Sequence, residues 1–303
     1  MAERPAMMPV RRPKGPSPEQ IRRRRQIALV AIAGAVIVAV VAIVVAFPHV
    51  HHKQAAAPVL PPAPKPFRIV FPEGFTRAQM AVRVQDVAGI ARRKSHKSVK
   101  LSSRSYLLAS RRASIPCFKP HPQRNLEGFL FPATYDFVRA TTSAQLAADQ
   151  LQAFCENWQQ ADLAYAHSKN LTDYDVLIIA SMVEKETLAP DERKLVAAVI
   201  YNRLHAHMTL GIDATLRYGL HIAPTQSILQ SQLDSNNPYN SRKLPGLPPT
   251  PIANPGLASI QAAAHPAHVA YLYFVRKPDK VHHFFTASDT AFAHYECAHG
   301  YGC

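Results

Sequence analysis

Acidic side chains are scarce in the first 125 positions, where four Asp or Glu stand against 23 Lys or Arg. Between Ala91 and Asn125 there is no acidic residue at all, beside ten basic ones. From Leu126 to Cys303 the balance reverses, with twelve basic and sixteen acidic residues. The formal charge of +15 is therefore carried by a tail and one short segment, which argues against a nucleic-acid-binding core. Residues 1–26 hold Arg and Pro but almost nothing apolar to bury, so they are expected to form a disordered basic tail. Residues 27–47 lack the opposite property: 21 positions contain no charged or strongly polar side chain, close to the roughly 20 that span a bilayer as a helix. Cysteine is sparse, with four residues. An even number can pair in an oxidising compartment; Cys297 and Cys303 are close enough to staple the C-terminal tail, while Cys117 and Cys155 would join distant segments. Taken with His294 and His299, the four cysteines match the spacing of no standard metal site.

Arg22–Arg25 immediately precede the apolar run, and by the positive-inside rule this places the N-terminus in the cytoplasm and everything after Phe47 outside. A cleaved signal peptide is the competing reading. Its apolar region is usually about 7–15 residues and ends at small residues, whereas this run is longer and ends in Phe47-Pro48. Both readings export the same domain. Residues 48–66 are rich in His, Ala and Pro, and Pro58, Pro61, Pro62, Pro64 and Pro66 favour an extended spacer.

The expected fold class is α+β: an N-terminal transmembrane helix, a small α+β subdomain with a basic connector over residues 67–125, and a mixed helix and sheet domain over 126–303. Phe67–Phe71 alternates as a short strand, and Thr76 caps a helix whose Met80, Val84 and Val87 share one face. The basic stretch that follows is either a solvated connector or an attraction to an anionic surface. Leu126–Val138 is dense in aromatics, and Thr142–Trp158 reads as a helix capped by Thr142 or Ser143, with Leu146, Leu151 and Phe154 facing inward. A helix near Ala262–Pro266 precedes two strands, Tyr271–Val275 and His282–Thr286, joined around Lys277–Lys280.

The chemistry concentrates between Ala180 and Thr215. Asp173 is placed to cap a helix over Tyr174–Lys185, with Val176, Ile179 and Val183 as its buried stripe, and a second helix starts near Pro190. Glu184 then falls in the last turn of the first helix. There the negative end of the helix dipole and apolar neighbours disfavour an ionised carboxylate, the condition a general acid at neutral pH requires. The plainer reading is an exposed helix-end Glu paired with Lys185 or Arg193. Gly246–Gly256 carries four prolines, so it serves either as a rigid wall beside a cleft or as a series of structural turns.

The motifs LEGFLFPATY, ASMVEKET, VAAVIYNRL, LGIDAT, NPYN, GLPPTPIANPG, AAAHP, YLYFV and HHFF, in this order, resemble the MltG (YceG-like) family of membrane-anchored endolytic peptidoglycan transglycosylases. Gly211 and Ala214 stand where that family often has Gln and Pro, and Ser241-Arg242 where it usually has Thr-Tyr. The resemblance implies a LysM-like subdomain followed by a catalytic domain, with the first acidic residue of EKET, Glu184, as the catalytic acid. It also implies cleavage of the β-1,4 bond between N-acetylmuramic acid and N-acetylglucosamine, leaving 1,6-anhydro ends and terminating strand elongation, with no cofactor or metal. Glu186, Asn202, Asp213, Thr215, Tyr239, Asn240 and His265 are the expected substrate contacts, although a salt bridge to Arg193 or Arg203 explains Glu186 or Asp213 equally well. The expected partners are glycan strands, the cell membrane and peptidoglycan synthases, and not nucleic acid. A non-catalytic peptidoglycan-binding scaffold is the alternative.

Overall fold

The computed structural model describes residues 18–46, 65–118 and 125–302, and the chain divides into two units after residue 63. In the first unit, Pro18–Ala46 form one helix, α1. Over Pro18–Ile43 it is long and apolar enough to cross a membrane, and none of that stretch is buried. The helix begins ahead of the apolar run because Pro18 suits a first helical position and Glu19, Gln20 and Arg22–Arg25 are good helix formers. Residues expected in the tail thus form its first turns. The expectations for the tail before Pro18, for Phe47 and for the spacer up to Pro64 lie outside the described residues.

The second unit starts with β1 (Phe67–Val70), α2 (Arg77–Ser95), α3 (Ser103–Ala109) and β2 (Thr134–Phe137). The two strands pair antiparallel, Ile69 opposite Tyr135, so the sheet is completed by a segment beyond Leu126. Thr76 and Gln79 close a reciprocal capping box at the head of α2, and Met80, Ala81, Val84 and Ala88 form its buried face. The same box, Thr142 with Gln145, opens α4 (Ser143–Trp158), whose Leu146, Leu151 and Phe154 are buried as their spacing demands. Phe154 joins an aromatic cluster with Phe129, at 5.1 Å between ring centres, and with the chain's single tryptophan, Trp158, at 5.5 Å. Beside this cluster Cys117 and Cys155 form a disulfide with Cα atoms 5.4 Å apart, in keeping with an oxidising compartment. The Cys297–Cys303 pairing lies outside the described residues, since Cys303 does.

After α5 (Ala164–Ser168) comes α6 (Asp173–Glu186). Thr172, one residue before the expected Asp173, is its cap: Thr172 Oγ1 accepts the Asp175 N–H, and Asp175 Oδ2 accepts the Thr172 N–H at 2.8 Å. Asp173 instead lies 2.7 Å from His167 Nε2. The expected single stripe is also too narrow, for every residue from Val176 to Val183 is buried. The reason is tertiary: α6 packs against α7 (Arg193–His205), α8 (Asp213–Gly219) and α10 (Leu257–Ala264), and a helix enclosed on all sides is apolar on all sides. Between α8 and α10 lies the short α9 (Gln230–Leu233).

A 3₁₀ turn, Pro190–Glu192, leads into α7 with Pro190 at its start. β3 (Tyr273–Arg276) and β4 (His283–Thr286) form the expected hairpin, Phe274 opposite Phe285, and α11 (Asp289–Ala298) follows. A buried pair fastens this hairpin to the 3₁₀ turn: Glu192 Oε1 accepts the His283 N–H at 2.9 Å, and Glu192 Oε2 lies 2.6 Å from His283 Nδ1. Among the described residues the unit is mostly helical with two small antiparallel sheets, an α+β fold.

Candidate active site

Glu184 sits on the last turn of α6, directly after the buried apolar run, and is half-buried. Its Oε2 accepts the N–H of Gly256 at 3.0 Å. Gly256 is the N-terminal flanking residue of α10, so the carboxyl lies between the negative end of one helix and the positive end of another. A side chain at position 256 would fall on a second carboxyl group, that of Glu73. Two carboxyl groups from distant parts of the chain therefore meet on one glycine.

Glu73 belongs to the turn between β1 and α2, and that turn is firmly docked. Gly74 N–H donates to Asn254 O at 3.0 Å, and Asn254 N–H donates to Phe75 O at 3.0 Å. Lys185 Nζ donates to Gly74 O at 3.3 Å, and the hypothetical Cβ of Gly74, whose φ is +74°, would stand 3.5 Å from Glu184 Cγ. Burial raises the Glu73 carboxyl above the ordinary carboxylate range, the Glu184 charge adds to this, and Arg193 opposes it. Nothing in FPEG distinguishes Glu73 from the acidic residue of any solvated turn, so the sequence reading passed over it.

Asn254, fully buried, holds the rest together. Its Oδ1 accepts the N–H groups of Gly128 and Leu130, both at 2.9 Å. Its Nδ2 donates to Phe75 O and to Glu127 Oε1, also at 2.9 Å. One amide thus joins the LEGFLF segment, the Glu73 turn and the proline-rich loop. Glu127 is likewise buried. It accepts the Arg77 N–H at 2.8 Å and the Tyr218 hydroxyl at 3.1 Å, and burial, against these hydrogen bonds, pushes its carboxyl up to about 7. The proline-rich loop packs as a wall: Ser181 Oγ accepts the Ile252 N–H at 3.0 Å, and Pro251 presses on Gly128, which has a φ of +91°.

The remaining expected contacts separate into two groups. Glu186 is half-buried two residues beyond Glu184 at the end of α6 and accepts the Ala214 N–H at the head of α8. Burial raises its carboxyl, Arg276 opposes, and Asp213 adds to the rise. Asp213 forms an ion pair with Arg242, neither of the arginines the sequence reading considered. The Tyr239 hydroxyl lies 2.7 Å from Thr250 Oγ1, and its ring is 5.2 Å from that of Tyr218. Glu186 and Asp213 thus meet at the head of α8, and Tyr239 lies against the loop and α8. Asn202, Thr215 and Asn240 spend their polar atoms inside the protein. Asn202 Nδ2 donates to Val269 O and Tyr271 O, both at 2.8 Å. Thr215 Oγ1 is buried 2.8 Å from Ser241 Oγ. Asn240, also buried, donates to Leu233 O and Ser235 O at 2.8 Å. His265 ends α10 and stacks on Tyr165, at the opposite end of that helix from Gly256.

Among the described residues no three His, Cys, Asp or Glu side chains converge as metal ligands would. Part of the basic segment lines a separate groove of about 410 Å³ between Arg77, Arg104, Leu107 and Arg111.

The YceG-like family model matches residues 48–296, and the chain belongs to that family. It is 30% identical over 218 residues to the endolytic murein transglycosylase of Bacillus subtilis, covering 70% of this chain and 59% of that protein. To the protein of the same name from Streptococcus pneumoniae it is 37% identical over 170 residues, covering 54% of this chain and 30% of the other. The chain thus spans less than two thirds of either relative. The crystal structure of a yceG-like protein of Listeria monocytogenes matches with a TM-score of 0.63 at 27% identity, over 75% of each chain.

Proposed function

We propose that this chain is an endolytic peptidoglycan transglycosylase with Glu184 as its acid and then its base. The observation that carries the reading is the seating of Glu184, a half-buried carboxyl at the end of an enclosed helix and fixed by the Gly256 N–H, within a chain whose relatives bear the name of that activity. Glu184 protonates the glycosidic oxygen between N-acetylmuramic acid and N-acetylglucosamine. The muramic acid C6 hydroxyl then attacks the anomeric carbon and gives its proton to the Glu184 carboxylate, leaving a 1,6-anhydro end. A hydrolase would need a second carboxyl group to activate water or act as nucleophile; here the attacking group is supplied by the sugar. Glu186, Asp213 and Tyr239 border the substrate, and Asn202, Thr215, Asn240 and His265 support the walls.

In this reading α1 is a single-pass anchor, with Arg22–Arg25 on the cytoplasmic side and the second unit outside. The β1-α2-α3-β2 unit is LysM-like, and glycan strands near the membrane and its peptidoglycan synthases are the partners, with strand termination as the outcome.

The test is mass spectrometry of the ends released from isolated sacculi by wild type and by Glu184→Gln, which keeps size but cannot donate a proton at neutral pH. General acid catalysis is worth roughly 10²–10⁴ in rate, so anhydro ends should fall by that factor while melting stays cooperative. Reducing ends from the wild type would make the protein a hydrolase, and binding without cleavage by the wild type would favour a scaffold.

A further inference from the structure

Resting on the assignment of Glu184 as the acid, we propose that Glu73 is its positioning carboxyl group, sharing one proton with Glu184 across Gly256. The two groups reach the same residue from different elements, Glu184 on its N–H and Glu73 on the face where a side chain would stand. Glu73 is solvent-exposed, but its turn is fixed, held to Asn254 and Lys185 by four hydrogen bonds.

The charges around the pair leave room for a proton. From α7 the cation acting on Glu73 is Arg193, whose Nε donates to Ser259 Oγ at 3.2 Å. From α6 come Glu184 itself and Lys185, whose ammonium is directed to Gly74 O. From α10 come the Gly256 N–H and the Ser259 hydroxyl. Two carboxylates facing essentially one guanidinium are undercompensated, and the Glu184 charge acts on Glu73; like charges that interact disfavour double ionisation. Such a pair takes up and loses protons as a unit.

The proton count closes over the reaction. The pair begins with one proton, Glu184 delivers it to the leaving oxygen, and the C6 hydroxyl returns one. Glu73 keeps Glu184 supplied without touching the sugar. Its position also bears on Gly256, where the backbone φ of −79° is open to any residue and an added side chain would first meet and displace the Glu73 carboxyl.

The test uses the full chain in detergent and kcat/KM against pH, with Glu73→Gln and Gly256→Ala. The second variant keeps the backbone N–H that holds Glu184 and displaces only Glu73. In both, the limb on which the acid form of the enzyme is lost should move to lower pH, with melting unchanged, and Glu73→Asp should lie nearer wild type. Carboxyl ¹³C NMR gives a readout that needs no activity: Glu73 should titrate above the ordinary glutamate range in the wild type and lower in Glu184→Gln, where burial alone still holds it up; a Glu73 titration unchanged in that variant overturns the coupling. An unmoved limb in Glu73→Gln overturns the proposal. So does activity lost equally at every pH, which would make Glu73 a substrate contact, and so does loss of cooperative melting in both variants, which would make it structural. If the wild type yields no anhydro ends, the proposed function fails while the NMR coupling still decides the pair.

Discussion

The Glu127 carboxyl has its protonation equilibrium moved far by burial, and replacing it tests the reasoning about the wall of the site. It is buried, and its pKa stands at about 7 against an ordinary 4.5. The folded chain therefore holds a proton that the unfolded chain releases in the window between those values. A raised carboxyl contributes stability that is fully present below the unfolded pKa and is lost as pH rises through the folded pKa. A shift of this size corresponds to about 3 kcal/mol lost between acid and neutral pH. Glu127→Gln imitates the protonated form. Its Oε1 still accepts from Arg77 N–H and Asn254 Nδ2, while its amide donates to the Tyr218 oxygen. Urea denaturation of the full chain at several pH values between 4.5 and 8 should show stability falling with pH in the wild type and a flatter profile in the variant. At pH 8 the variant should gain up to ~3 kcal/mol, which for a unit of this size is roughly 6–12 °C in Tm. Parallel profiles in the two proteins would refute the account, because they would mean that Glu127 is ionised in the folded state at little cost.

Gly128→Ala should destabilise strongly, since φ is +91° and the added Cβ would come 2.7 Å from Pro251; backbone strain alone is worth about 1–3 kcal/mol, and a melting temperature within a degree of wild type would contradict it. Cys155→Ser removes a bridge closing a separation of 38 residues, and loop-closure entropy sets the expected loss at about 4 kcal/mol. Denaturation with and without reductant checks this, and a variant as stable as the oxidised wild type would count against it.

What the sequence alone determined is whatever depends on local pattern. The apolar run of α1, the Thr76 cap, the inward spacing of Leu146, Leu151 and Phe154, and the β3–β4 hairpin are all statements about residues within a few positions of each other. The order of the motifs likewise sufficed to place the chain in its family. The surroundings of Glu184 were not legible, because they are made by contacts across the chain. The α6 dipole could be foreseen from Glu184's place at the helix end, but the opposing α10 dipole could not, since Gly256 lies 72 residues further on. Glu73 and Glu127 resembled ordinary turn acids until folding set one on Gly256 and enclosed the other beside Asn254. Asn202, Thr215 and Asn240 gave the converse difficulty, for a polar residue in a motif has the same letter whether it faces substrate or bonds to a buried carbonyl. Only the tertiary structure separates these cases, because desolvation and the number of partners depend on which distant segments close over a side chain.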